Sequence, residues 1–86
     1  MMTPTKSELN ERIRAEKRLA ALENQHAAWA EGIYEGIDAE ILATAAIETA
    51  ILGLVESNGE ASAANLLEIV KGKLASGGFS GYQYLN

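Results

Sequence analysis

Apolar positions begin sparsely and then fall into step. After Pro4, the run Thr5-Lys6-Ser7-Glu8 reads as a capping box, a hydroxyl acceptor with a glutamate three residues on. It predicts a helix starting near residue 6. Leu9 and Ile13 are the only large apolar residues in its charged first half. Ala15, Leu19, Leu22, His26, Trp29 and Ile33 then follow 4-3-4-3-4 spacing, the stripe of a coiled-coil-like seam. Gly36-Ile37-Asp38 supplies a stop and a new start, because glycine tolerates the left-handed end of a helix and aspartate caps the next one. The first helix is therefore expected over about 6–35.

The second segment, about 38–57, has no broad polar face. One seam reads Ile37, Ile41, Thr44, Glu48, Ile51, Val55, flanked by Leu42, Ile47, Leu52 and Leu54. The other side reads Ala39, Ala43, Ala46, Ala50, Gly53, a small-residue helix-packing face that suits the close approach of another backbone. Ser57-Asn58-Gly59 marks a turn. Ser62 is the expected cap of a third helix over about 62–76, with Leu66, Ile69, Val70 and Leu74 on one face and Gly77-Gly78 at its end. The tail 77–86 carries Phe79, Tyr82 and Tyr84. These aromatics are expected to close the bundle or to anchor another protein. The expected fold is a single all-α domain: an antiparallel hairpin of two long helices, a shorter third helix and an aromatic tail.

Composition narrows the class. A chain of 86 residues buries only about 60% of its unfolded surface, so association with partners is favoured. It has no cysteine, which removes disulfides and thiolate metal sites. The charged front leaves no apolar run for a signal peptide, and the apolar stretch 41–55 is too short to span a membrane. A cytoplasmic location is expected.

Charge is segregated. Residues 1–22 carry five Lys/Arg against three Glu, whereas residues 23–70 carry nine Asp/Glu and no Lys or Arg. Glu31, Glu35, Asp38 and Glu40 concentrate near the first turn and form a candidate acidic interaction surface. Arg12, Arg14, Lys17 and Arg18 are interleaved with glutamates, which makes a poor phosphate track.

Candidate chemistry is thin. In the expected hairpin, His26 lies within one layer of Glu48, as a polar core pair that satisfies itself and fixes register. No nucleophile or oxyanion cradle accompanies it, so catalysis is not expected. Glu23-Asn-Gln-His26 resembles the Glu-x-x-His ligand spacing of di-iron carboxylate bundles, which implies a metal-binding helical bundle as one alternative. The segment 51–66 resembles the opening of winged-helix domains, but Lys71-Gly-Lys73 and Gly77-Gly78 stand where a recognition helix would follow. A small DNA-binding regulator using the basic front is the other alternative. The leading expectation uses no metal or cofactor. It is a non-enzymatic protein–protein interaction protein, self-associating as a homo-oligomer through its helical faces. Its acidity also suits a phage or mobile-element type inhibitor that blocks a host nucleic-acid-handling complex.

Overall fold

The computed structural model describes residues 3–80. Among them the chain forms three helices and no strand: α1 (Lys6–Tyr34), α2 (Ala39–Asn58) and α3 (Glu60–Ala75). The all-α class read from the sequence is the fold.

Each helix boundary has a chemical cause. Thr5 is extended and caps α1. Its hydroxyl oxygen accepts from the Glu8 backbone N–H at 3.1 Å and donates to the Glu8 carboxylate at 3.0 Å. The capping box is thus present in a variant form, because the glutamate closes onto the hydroxyl. Such caps contribute about 0.5–2 kcal/mol.

α1 stops at Gly36, whose φ is +86°. The Gly36 N–H donates to the Ile33 carbonyl at 3.0 Å and the Ile37 N–H to the Gly32 carbonyl at 3.1 Å. Those two bonds are the Schellman closure, which requires a left-handed residue at this position. Gly77 and Gly78 end α3 in the same way, donating to the carbonyls of Leu74 and Lys73 at 3.2 and 2.8 Å. The Asp38 carbonyl opens the ladder of α2 by accepting from the Leu42 N–H at 3.0 Å.

The join between α2 and α3 is a single residue, Gly59. Its N–H donates to the Val55 carbonyl at 2.9 Å, and its own carbonyl accepts from the Ala63 N–H at 3.3 Å. One residue therefore closes one helix with its N–H and opens the next with its carbonyl. It does so at φ 90°, ψ 165°, a region open in practice only to glycine. This corrects the expected start of α3. Ser62 lies inside the first turn, and the helix begins two residues earlier without a side-chain cap. The Gly59 backbone does the work assigned to a hydroxyl.

The chain divides into two compact units, Met1–Ala43 and Thr44–Asn86, with the boundary inside α2. In the first unit, α1 meets the first turn of α2 at Gly32, which is buried. A Cβ built on Gly32 would lie 2.7 Å from both Leu42 methyl carbons. In the second unit the buried residue is Ala63, at 3% exposure. Ile51, Leu54 and Val55 of that unit are half-buried. Close approach is thus concentrated at two small residues. Of the expected hairpin, the structure carries the turn and the Gly32–Leu42 contact.

Candidate interaction surfaces

Large side chains remain uncovered. Ala63 is the one buried hydrophobic residue among those described, while sixteen large hydrophobic residues are exposed. On α1 they include Leu19, Trp29 and Ile33 of the expected seam, and Leu22 between them is half-buried. On α3, Leu66, Ile69, Val70 and Leu74 are all exposed. Burying one such side chain is worth about 1.5–3 kcal/mol, so an uncovered row of them is a large unused driving force.

The small-residue face is distributed over both units. Ala39 is exposed and Ala43 half-buried in the first, whereas Ala46, Ala50 and Gly53 are exposed in the second. A Cβ on Gly53 would meet nothing within 4 Å. Within the first unit a close backbone approach occurs at Gly32. The available signal was a glycine inside an otherwise strong α1 sequence, where it costs about 1 kcal/mol relative to alanine unless packing requires it.

His26 is an exposed side chain of α1, and Glu48 an exposed side chain of α2. They belong to different units. No polar or charged side chain is buried among the described residues. The low-dielectric setting that would give such a pair special chemistry is therefore missing around each of them. No group of three or more His, Cys, Asp or Glu among the described residues is placed to hold a metal ion.

The acidic surface is assembled from three local pieces. Glu31 lies in the last turn of α1, Glu35 is its C-cap, and Asp38 and Glu40 flank the start of α2. All four are exposed. Asp38 and Glu40 suit a helix start, where the macrodipole favours an anion. Glu31 and Glu35 sit at the opposite, unfavourable end, and the last turn of α1 has no basic residue. Helix stability explains half of this cluster and opposes the other half by a few tenths to about 1 kcal/mol per charge. Tyr34 stands among them at 92% exposure, a residue that the sequence pattern did not single out.

Part of the aromatic tail is engaged. The Lys73 ammonium lies 4.6 Å from the centroid of the Phe79 ring, a cation–π contact across the α3 terminus. Gly78 makes this return possible, because a Cβ there would press on the Lys73 side chain and lie 2.9 Å from its carbonyl oxygen. Tyr82 and Tyr84 lie outside the described residues. No helix among the described residues is long and apolar enough to cross a membrane. No protein family, curated protein or solved structure matches this chain.

Proposed function

We propose that this chain is a non-catalytic interaction protein that completes its hydrophobic core by self-association. One observation carries the reading: the described residues bury Ala63 and leave sixteen large hydrophobic residues exposed. A small domain stable as a monomer hides most such side chains, because their burial has to offset the entropy of ordering the chain. Here the faces are regular, helical and uncovered, which suits a second copy better than a folded-over loop.

The expected mass by sedimentation or light scattering is at least twice the 9.2 kDa of the chain. The melting temperature is expected to fall on dilution, as linkage to association requires. A monomer at micromolar concentration, with a cooperative melt that dilution does not move, overturns the reading.

The acidic turn supplies a second surface, and we assign it to a basic nucleic-acid-handling complex that the chain would block as an inhibitor of the phage or mobile-element type. The support is Glu31 and Glu35, retained at the helix end that disfavours them. Charge reversal at Glu31, Glu35 and Glu40 is expected to weaken binding to a basic nucleic-acid-handling complex, most strongly at low salt. Binding that ignores both salt and these reversals removes this role without touching self-association.

A further inference from the structure

We infer that the self-associating surface is the α1 seam, and that a second copy of this chain lies on it antiparallel, centred between Ala20 and Ala21. The inference rests on the self-association proposed above and specifies its geometry. The seam runs from Arg12 through Ala15, Leu19, Leu22, His26 and Trp29 to Ile33. All seven belong to one helix within one unit, and Leu22 alone among them is half-buried rather than exposed.

Two pairings of identical seams compete. A parallel pair sets each residue against itself. Arg12 would then meet Arg12 of the partner subunit inside the seam, and the basic front of one helix would lie along the basic front of the other. Reversal about the midpoint pairs the same positions differently. Leu19 meets Leu22 of the partner subunit twice at the centre, Ala15 meets His26 of the partner subunit, and Arg12 covers Trp29 of the partner subunit. At the ends Ile33 lies against the stem of Glu8 of the partner subunit, the one layer that favours the parallel pair. A guanidinium over an indole face is the most favourable cation–π pairing, whereas two guanidinium groups in one layer repel.

The longer-range field agrees. Residues 6–18 carry five Lys/Arg and three Glu, whereas residues 19–34 carry Glu23 and Glu31 and no Lys or Arg. Antiparallel packing lays each positive half along a negative half and opposes the two helix dipoles. The rim is less decisive. It sets Glu16 near Glu23 in the antiparallel pair, whereas the parallel pair sets Glu11 near Glu16 and Arg18 near Glu23. Exposed rim pairs of this kind contribute little, so the layers inside the seam decide.

The absence of native cysteine makes the test direct. Spin labels are attached to the full chain through Ser7→Cys or, separately, Asn24→Cys, both exposed positions on α1. At a 1.5 Å rise per residue and 8–10 Å between axes, the antiparallel pair places the two Ser7 labels roughly 40 Å apart and the two Asn24 labels within about 30 Å. That pair of distances is the expected result. Ser7 labels within about 25 Å overturn the antiparallel geometry and leave self-association standing. Asn24 labels well beyond 30 Å in a dimeric sample overturn α1 as the contact surface. A monomeric mass with no dipolar coupling overturns self-association itself.

Discussion

Replacing Gly59 by L-alanine is expected to destabilise the protein by about 1–3 kcal/mol, while D-alanine at the same position leaves stability nearly unchanged. The two variants share composition and differ only in handedness. A Cβ at Gly59 meets nothing within 4 Å, so no neighbour contributes to the effect. What remains is the backbone. At φ 90° and ψ 165°, an L side chain collides with its own main chain, whereas the same angles for a D residue mirror ordinary extended backbone. Urea midpoints followed by far-UV circular dichroism would check the pair, with the D-alanine chain made by peptide ligation. Wild-type stability for the L-alanine chain, or equal loss in both, would show that Gly59 does not hold this conformation in solution.

Gly32 is needed for the opposite reason, and the second prediction separates the two. Its conformation is ordinarily helical, and its constraint is the neighbour. Gly32→Leu is expected to cost about 1–3 kcal/mol by overpacking. Gly32→Ala is expected to come out close to neutral. Alanine gains about 1 kcal/mol in helix propensity over glycine. That gain offsets the displacement of the Leu42 methyls, which lie 2.7 Å from where the Cβ would be. Methyl groups at the end of a side chain can rotate away from one added carbon, but not from an isobutyl group. Leu42→Ala should therefore rescue Gly32→Leu, with a coupling of about 0.5–3 kcal/mol in a double-mutant cycle. Costs that simply add would mean the contact is not made.

These glycines also mark how far the sequence could be read. Local chemistry was legible. Thr5 and Glu8 announced the start of α1, and Gly36 its end, because capping depends on a few neighbouring residues. The start of α3 was misread by two residues, since Ser62 has the side chain of a cap but Gly59 has the backbone of one. Packing was less legible. Alanines in step along α2 look like a contact face, yet periodicity says only which residues share a side of a helix. Which side another helix visits depends on the direction of the turn that precedes it, and the Gly36 turn brings Leu42 to Gly32. The exposed seam of α1 was legible as a stripe. That it is exposed among the described residues was not, because coverage is a property of tertiary packing rather than of periodicity.

The one-residue joint has a mechanical consequence. Most helix connections contain several residues, whose torsions together form a soft linker. Between α2 and α3 there are only the two rotatable bonds of Gly59, with its N–H held on the α2 side of them and its carbonyl on the α3 side. A turn about either bond swings all of α3 and leaves both the Val55 and the Ala63 hydrogen bonds in place. The two torsions therefore act as a universal joint, and the direction of α3 is set by φ and ψ of Gly59. Re-aiming the corner requires no unfolding of either helix.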